Sequence, residues 1–335
     1  MASEPVDVWA MADLVTPFAV RTAATLRLAD IVQDGELPLD EIAKRSGTEA
    51  DPLGRVLRFL VRRGVFTEPE PDVFGPNEAS RVLRTDAPGG TREWLDLDGA
   101  VGRADLAFVE LVEQVRGRHP AYPAAFGRSF REDLAHSPQL SDSFDDLMET
   151  KSDELAPLVA AATAWDRFER VLDVGGGKGV LLAEILERHP DLRGTLVDLP
   201  GPAAAGERYL ESRGVRDRAD VVAGDFFDPL PPGADAYVLC DVLGDWEDED
   251  AVRLLGRCAE AAGADGREGS VLIVELLPDP DGEFTEMDLR MMIYVGGRMR
   301  DLDQTERIAA AAGLFIASVI RLDDGHGIIE CLPDR

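Results

Sequence analysis

The stretch VLDVGGGKGVL (residues 171–181) decides the fold of this 335-residue chain. It begins as an apolar run typical of a buried parallel strand, passes through a glycine cluster and enters a helical pattern over residues 181–186. Glycine suits such a loop because it reaches positive φ and lets the backbone approach a ligand beside the free N–H groups of the next helix. The stretch therefore predicts a nucleotide-binding strand-loop-helix.

The spacing of the glycines argues against a dinucleotide. Gly175, Gly177 and Gly179 are spaced G-x-G-x-G, whereas the dinucleotide fingerprint is G-x-G-x-x-G and would require glycine at Val180. The P-loop spacing is also missing. Asp173 lies just before the glycines, where it would repel a pyrophosphate but reach an ammonium group. An amino-acid-bearing nucleoside fits this loop better.

Two further strands are expected to end in acids. Asp198 closes the apolar run that begins at residue 194, about as far downstream as the ribose-binding acid of a nucleotide unit, and is the candidate for the ribose hydroxyls. The next run, residues 219–223, leads to Gly224, Asp225 and Phe226, which suit an adenine amino group and ring. Acids at three successive strand ends are a stronger signal than the glycine loop alone.

Together these residues resemble the S-adenosylmethionine (SAM) site of class I methyltransferases. The motifs LGDW (243–246), MDLRM (287–291) and GGR (296–298), with Glu275 closing a strand, are similar to bacterial small-molecule O-methyltransferases that act on aromatic polyketides and naphthoates, relatives of the plant caffeate enzymes. The resemblance covers almost the whole chain. It implies SAM as cofactor, S-adenosylhomocysteine as product and these cofactor-binding residues: Asp173, Gly175, Gly177, Asp198, Leu199, Gly224, Asp225, Phe226, Cys240, Asp241 and Trp246.

The expected fold is an α/β, Rossmann-like class I methyltransferase domain with a doubly wound sheet, preceded by a mostly helical winged-helix dimerisation domain. The expected boundary lies near residues 164–168, giving a dimerisation and substrate-lining domain (1–165) and a SAM-binding domain (166–335). Strands alternating with helices continue beyond the glycine loop, and a terminal hairpin is expected over residues 315–331.

The amino-acid composition limits the classes of binding partner and the cellular compartment that we expect. The chain carries 65 acidic against 35 basic residues and a net charge of −30, so its surface repels nucleic acid and anionic membranes. Cys240, Cys258 and Cys331 are odd in number and lack metal spacing, which suits a reducing cytosol. With neither a signal peptide nor a membrane-length apolar run in the sequence, we expect a cytoplasmic protein without a metal, a nucleic-acid partner or a membrane partner.

The first third of the chain reads as a dimerisation module. Residues 8–32 are expected to be helical with a broad apolar surface that one small domain cannot cover, which predicts a homodimer. Residues 39–75 follow the helix-turn-helix and hairpin pattern of a winged helix. Its arginines (Arg55, Arg58, Arg62 and Arg63) would suit DNA, but in so acidic a chain we expect them to face water or neighbouring acids.

Helices are also predicted over residues 94–115 and 137–162. A connection rich in proline and aromatic residues (120–130) lies between them and is a candidate wall for an aromatic substrate. At helical spacing such side chains are more often ordinary core. The candidate substrate-lining residues are Tyr122, Phe126, Phe130, Phe144, Met148, Met291 and Tyr294.

The expected chemistry departs from the family pattern at two positions. Many relatives carry a His-Asp-Trp motif whose histidine removes the hydroxyl proton, and here that position is Gly244. A partner acid in the GGR motif is replaced by Met299, whereas the strand-end acid Glu275 is present. The two substitutions, at Gly244 and Met299, therefore affect the same group of catalytic residues. They favour methyl transfer by proximity to an acidic phenol or carboxylate, with Glu275 or Asp245 as the residual catalytic candidates.

Three hypotheses follow. The chain is an O-methyltransferase for a hydroxylated aromatic natural-product intermediate, a SAM-binding relative repurposed for hydroxylation, decarboxylation or cyclisation, or a non-catalytic winged-helix regulator. An intact SAM pocket argues against the third, and product analysis separates the first two. None of the histidines (His119, His136, His189 and His326) lies in the motif region, and each is expected in a loop or at the surface, with His326 the one to examine.

Overall fold

The computed structural model describes residues 7–264, 269–278 and 286–334. It divides the chain into two compact units, one of residues 1–106 with 132–150 and one of residues 107–131 with 151–335. In chain order the first helices and strands are α1 (Val8–Met11), α2 (Val15–Thr25), α3 (Leu28–Ile31), β1 (Leu37–Pro38), α4 (Leu39–Ser46), α5 (Ala50–Arg62), β2 (Thr67–Glu70), β3 (Val73–Gly75), α6 (Glu78–Arg81), α7 (Thr91–Leu95) and α8 (Ala100–Ala104).

The expected single helix over residues 8–32 is wrong, because two local features break it. The Asp13 carboxylate accepts hydrogen bonds from the N–H groups of Val15 and Thr16 (both 3.0 Å), which starts a new helix. Arg27 has a φ of 52°, which ends that helix before α3. The exposed apolar surface is present nevertheless, and Trp9 is 89% exposed.

The winged-helix pattern is confirmed. Helices α4 and α5 are followed by the hairpin β2–β3, and β1 pairs with β3 to complete a three-stranded antiparallel sheet in the order β1-β3-β2. The α5 arginines behave as expected for a solvated face with acidic neighbours. Arg55 pairs with Asp51 at 2.8 Å, and Arg58 forms an ion pair with Asp72.

The second half of the chain builds one mixed sheet. Its elements are α9 (Leu111–Val115), α10 (Ala121–Phe126), α11 (Phe130–His136), α12 (Pro138–Ala162), β4 (Arg170–Val174), α13 (Val180–Arg188), β5 (Arg193–Asp198), α14 (Pro200–Ser212), β6 (Ala219–Ala223), β7 (Ala236–Cys240), α15 (Asp248–Ala262), β8 (Ser270–Leu276), α16 (Glu286–Val295), α17 (Leu302–Ala311), β9 (Leu314–Arg321) and β10 (His326–Pro333).

The seven strands lie in the order β6-β5-β4-β7-β8-β10-β9. The first five are parallel, and β10 runs antiparallel to both β8 and β9, as the predicted terminal hairpin requires. Strand order reverses at β4, which is the switch point where open α/β sheets bind ligands at the carboxyl ends of their strands. The doubly wound α/β prediction is confirmed, and β4 with its glycine loop lies at that point.

Apolar side chains cover both faces of this sheet. One cluster includes Leu172, Tyr237 and Ile273 with residues of α15 and α17, and the other includes Val171, Val238 and Val274 with residues of α12 and α13. Burial of this kind stabilises by about 25 cal/mol per Å² of apolar surface. The sheet is therefore a rigid platform for the loops at its carboxyl edge.

Two predicted boundaries differ from the structure. The helix expected over residues 94–115 is divided into α7, α8, a 3₁₀ segment (Asp105–Glu110) and α9, and Gly102 packs against the Asp96 carbonyl where a Cβ would lie 2.1 Å away. The compact units also differ from a division at 165/166. Residues 107–131 belong with the sheet because the Gln114 side-chain amide donates to the Met292 carbonyl at 2.9 Å, and the end of α12 packs on β4 and β7.

In the part of the chain that the structure describes, no helix is long and apolar enough to cross a membrane. The same residues contain no group of three or more histidine, cysteine, aspartate or glutamate side chains arranged to hold a metal ion.

Candidate active site

The glycine loop after β4 is closely fitted to its surroundings. Gly175, Gly177 and Gly179 have φ values of 72°, 57° and 75°, which L side chains rarely adopt. A Cβ on Gly176 would lie 2.2 Å from an oxygen of Asp173, and one on Gly175 would lie 3.3 Å from the Phe226 ring. Glycine is therefore required by backbone conformation at Gly175, Gly177 and Gly179 and by the close approach of Asp173 at Gly176.

Asp173 is a buried carboxylate with no partner among the residues that the structure describes. It is 2% exposed, and within residues 7–264, 269–278 and 286–334 neither of its oxygens has a hydrogen-bond partner. Burial, assisted by the charge of Asp198, raises the pKa of Asp173 to about 7. Because buried polar groups in native proteins are almost always paired, a carboxylate in this state is able to receive a cationic group of a ligand.

Asp198 ends β5 beside the same loop. Its carboxylate accepts from the N–H of Gly177 at 2.8 Å and from the N–H of Leu199 at 2.6 Å, and its carbonyl accepts from the N–H of Gly224 at 2.9 Å. Burial raises the pKa of Asp198 although these N–H groups oppose the shift. Asp198 therefore links the ends of β4, β5 and β6 in one patch, with the Leu199 side chain exposed at its rim.

An aromatic cluster borders this patch. The Phe226 ring lies edge-on to Phe227 (5.1 Å between centroids) and to Trp246 (6.0 Å), and Phe227 and Trp246 are 4.7 Å apart. Asp225 is exposed, and its carboxylate accepts from the N–H of Phe227 at 2.9 Å. A flat heterocycle with an exocyclic amine can bind here by stacking and a hydrogen bond.

The end of β7 carries a charge network. Asp241, which follows Cys240, has a φ of 52°, and its carboxylate contacts the Lys151 ammonium at 3.0 Å and Nε2 of His326 at 3.3 Å. Burial alone would raise the pKa of Asp241, but the two cationic neighbours outweigh it and hold the pKa below its usual range. Burial raises the pKa of the Cys240 thiol well above its ordinary value.

The residues that differ from the family pattern come together as predicted. A Cβ on Gly244 would lie 3.3 Å from Oε2 of Glu275 and 3.6 Å from the Met299 sulfur. The other oxygen of Glu275, Oε1, accepts from the N–H groups of Leu243 (2.7 Å) and Gly244 (3.3 Å). Backbone N–H groups thus hold one carboxylate oxygen of Glu275. The second oxygen faces the volume that a side chain at position 244 would occupy.

The two catalytic candidates differ in their surroundings. Burial, with the charges of Asp241 and Asp245, raises the pKa of Glu275 to about 8. Burial also raises the pKa of Asp245, although the Arg131 guanidinium, 3.4 Å from its carboxylate, partly offsets this shift. Arg131 also stacks over the Trp246 ring at 4.1 Å. Asp245 already has a cationic partner, whereas Glu275 keeps an oxygen directed at the vacant volume.

The candidate substrate-lining residues separate into two groups. Tyr122 lies 4.7 Å from Phe126 and 5.4 Å from Phe130, and Phe130 stacks on Tyr294 at 6.0 Å. Tyr122 and Tyr294 are almost fully buried, as ordinary core residues would be. Met291, on α16, is half-buried, and Phe144 and Met148, also half-buried, lie on α12 within the other compact unit. A substrate-lining role for these residues stays a prediction.

Sequence reasoning missed Lys151 and Arg131 because no motif marks either residue. Each is one basic residue in a helical segment, and only its contact with Asp241 or Asp245 distinguishes it. The expectation of a surface or loop position is wrong for His326, which is 8% exposed. It begins β10, where strand pairing brings it to the edge that carries the site.

Two family models match the chain. One describes an O-methyltransferase domain and matches residues 108–315, and the other describes an O-methyltransferase dimerisation domain and matches residues 9–86. The chain belongs to the O-methyltransferase family. The first match begins upstream of the predicted division at residue 165 and includes the glycine loop and Glu275.

Similar proteins act on polycyclic aromatic compounds. The chain is 48% identical to the 2,7-dihydroxy-5-methyl-1-naphthoate 7-O-methyltransferase of Streptomyces carzinostaticus, over 92% of each chain. It is 42% identical to aclacinomycin 10-hydroxylase RdmB of Streptomyces purpurascens, over 92% of this chain and 83% of the relative. Its structure matches that of O-methyltransferase NcsB1 from neocarzinostatin biosynthesis, in complex with SAM and 2-hydroxy-5-methyl naphthoic acid, with a TM-score of 0.91, 47% identity and coverage of 98% and 99%.

These findings confirm the resemblance. The chain has the class I methyltransferase fold with an amino-terminal helical dimerisation domain, and it is a SAM-dependent O-methyltransferase by family. The family does not decide which residues of this chain hold SAM or which group removes the proton, because Gly244 and Met299 depart from the motif.

Proposed function

We propose that this protein transfers the methyl group of SAM to a hydroxyl of an aromatic, naphthoate-type natural-product intermediate. The observation that carries the proposal is the unpartnered Asp173 carboxylate under the glycine loop, next to Asp198. A carboxylate that lacks a partner suits the ammonium of a methionine moiety, and the names of similar proteins supply the acceptor class.

The chain's own residues fit SAM along the carboxyl edge of the sheet. Asp173 would bind the ammonium, Asp198 the ribose hydroxyls, and Asp225 with Phe226 the adenine. The remaining predicted contacts (Gly175, Gly177, Leu199, Gly224, Cys240, Asp241 and Trp246) lie in or beside the same patch. When bound, SAM supplies an electrophilic methyl group on a positively charged sulfur.

The proton of the acceptor hydroxyl needs a base, and we propose Glu275. Its Oε2 faces the volume left by Gly244, and its Oε1 is held by two backbone N–H groups. A base is most effective when its pKa is close to the working pH, and the pKa of Glu275 is about 8. As the acceptor oxygen bonds to the methyl carbon, the carbon–sulfur electron pair stays on sulfur and the hydroxyl proton moves to Glu275.

A second candidate is a non-methylating reaction in which SAM binds but is not consumed. Two observations favour it: the histidine position is Gly244, and a relative 42% identical to the chain is named a hydroxylase. The winged-helix regulator has less support, since Arg55 and Arg58 are occupied by acidic neighbours.

Product analysis separates the two reactions. The purified protein is incubated with SAM and a panel of hydroxylated naphthoates, anthraquinones and anthracyclines, and S-adenosylhomocysteine and product mass are followed together. We expect one added methyl group for each S-adenosylhomocysteine formed. Product of another mass, with SAM unconsumed, would establish the second candidate and refute the first.

Restoring the histidine should change the pH dependence of methyl transfer. In Gly244→His the new Cβ lies 3.3 Å from Oε2 of Glu275, so the imidazole can replace that carboxylate as the base. Because the ordinary pKa of histidine is near 6.5, we expect the rise of kcat with pH to move from about pH 8 toward neutrality. Gly244→Ala adds the Cβ alone and should leave the midpoint unchanged. A profile shifted equally by both variants would contradict Glu275 as the native base.

The exposed apolar surface of α1 and α2 should form the homodimer contact. Trp9, Leu14 and Phe18 are 89%, 70% and 43% exposed, and they lie in the segment matched by the dimerisation model. We expect Trp9→Asp to weaken self-association at least tenfold in sedimentation velocity, since burying the new charge in an apolar contact is unfavourable. Arg188→Asp on α13 is a matched surface control. An unchanged dimer in Trp9→Asp would place the interface elsewhere.

We also propose that the protein is cytoplasmic. Cys240, Cys258 and Cys331 are free thiols, which suits the reducing conditions of the cytosol.

A further inference from the structure

Asp241, a predicted SAM contact, is also the centre of an array of charged groups whose basic members have no role in the proposed reaction so far. One oxygen contacts the Lys151 ammonium of α12 at 3.0 Å, and the other lies 3.3 Å from Nε2 of His326 on β10. The other ring nitrogen of His326 lies 2.9 Å from the Asp324 carboxylate. Two basic groups from different elements thus converge on one acid at the end of β7.

This array lies next to the proposed base. Strands β7 and β8 are parallel neighbours with Cys240 opposite Val274, and the N–H of Asp241 donates to the Val274 carbonyl at 2.9 Å. Asp241 therefore lies beside Glu275 across the two strands. The loop that begins at Asp241 also supplies the two N–H groups, from Leu243 and Gly244, that hold Oε1 of Glu275.

We propose that Lys151 and His326 are positioning residues that act through Asp241 to set the proton affinity of Glu275 and the orientation of its loop. The inference rests on the proposed role of Glu275 as base. Without the two basic groups, Asp241 would present an uncompensated negative charge to Glu275 and disfavour its ionised form. With them, Glu275 can ionise near pH 8.

The charged and titratable groups around the array agree with this assignment. Asp241 is faced by Lys151 from α12, His326 from β10, Glu275 from β8, Asp245 from its own loop and Cys240 from β7, with Asp173 from β4 on the far side of Cys240. Burial would lower the pKa of Lys151 and of His326, but the charge of Asp241 outweighs it and raises both. Asp241 therefore stabilises the protonated form of each group.

The test compares variants whose expected shifts have opposite signs. The rate of methyl transfer is measured as a function of pH at saturating SAM, with the SAM dissociation constant measured for each variant. Lys151→Met removes the positive charge and should move the rise of the methyl-transfer rate with pH to higher pH by about one unit. Asp241→Asn removes the negative charge and should move that rise to lower pH. Lys151→Arg should restore the wild-type profile, and His326→Gln should shift it in the direction of Lys151→Met by less.

Arg188→Met is the control for net charge, because Arg188 is exposed and its only role in the part of the chain that the structure describes is an ion pair with Glu184 on the same helix, α13. Shifts of opposite sign for Lys151→Met and Asp241→Asn support the inference, since loss of structure alone would not reverse direction. Equal profiles in wild type and Lys151→Met overturn it. A Glu275→Gln variant that keeps the wild-type profile refutes the base assignment itself, so the two failures are distinguishable.

Discussion

Replacing Asp173 by asparagine should weaken SAM binding by about 100- to 4000-fold while stabilising the ligand-free protein at alkaline pH. The proposed contact pairs a buried carboxylate with an ammonium, and loss of one partner from such a pair costs about 3–5 kcal/mol. At about 1.4 kcal/mol per tenfold change, this corresponds to the stated loss of affinity. Isothermal titration calorimetry measures the effect directly.

The stability change has the opposite sign because the native carboxylate is unpartnered. The pKa of Asp173 is about 7 in the fold against 3.8 ordinarily, a difference of 3.2 units. At 1.36 kcal/mol per unit, the ionised carboxylate costs about 4 kcal/mol at pH 9. The protonated carboxyl of wild type and the amide of the variant are both buried polar groups of similar size, so their remaining costs nearly cancel and the variant should gain about 4 kcal/mol at pH 9.

The sign of the pH dependence follows from the raised pKa. The ionisation of Asp173 costs nothing below about pH 4, stability is lost progressively as the pH rises from about 4 to about 7, and the cost is constant above pH 7, where the carboxylate is ionised in the fold as well. The free energies of unfolding of wild type and Asp173→Asn, measured with denaturant, should therefore be closer to each other at pH 5 than at pH 9.

Proton release provides an independent check on the same residue. At pH 6 most of Asp173 is protonated in the free protein, and binding of an ammonium favours the carboxylate. Calorimetry at pH 6 in two buffers of different ionisation enthalpy should show close to one proton released for each SAM bound by wild type, and almost none for each SAM bound by Asp173→Asn. Wild-type affinity in Asp173→Asn would contradict the proposed SAM orientation.

Replacing Glu275 by glutamine should lower kcat by about 100- to 10,000-fold at pH 8, which is the usual range for loss of a general base. Glutamine has the same shape, and its oxygen can still accept from the N–H groups of Leu243 and Gly244. SAM affinity should therefore stay within threefold of wild type. The variant should also lose the rise of kcat through about pH 8, because no carboxylate ionises at that position.

The acidity of the acceptor provides a sharper readout. An acceptor already ionised at pH 8 needs no base, so the Glu275→Gln defect should shrink steadily as the phenol pKa of the acceptor falls. Asp245→Asn is the matched control. Because Asp245 is already paired with Arg131, this substitution should lower kcat less than tenfold. If Asp245→Asn lowers kcat more than Glu275→Gln does, Asp245 is the base and Glu275 is not. Full activity in Glu275→Gln with every acceptor would show that proximity alone suffices.

The sequence by itself determined the fold class and the pattern of the cofactor site. An apolar strand followed by closely spaced glycines allows few alternatives, because only a loop with positive φ joins that strand to the next helix. Asp173, Asp198 and Asp225 lie at or just beyond the carboxyl ends of strands that are recognisable by their apolar runs, so their meeting at one edge follows from parallel order. The loss of the histidine at Gly244 is also visible in the sequence.

Only the tertiary structure decided which charges meet. Lys151 is 90 residues from Asp241 and His326 is 85 residues beyond it, and no spacing in the chain signals either contact. The burial that raises the pKa of Asp173 and Glu275 likewise depends on helices from distant parts of the chain. Local patterns predict strands, loops and turns because those depend on neighbouring residues, whereas electrostatic partners depend on how the whole chain packs.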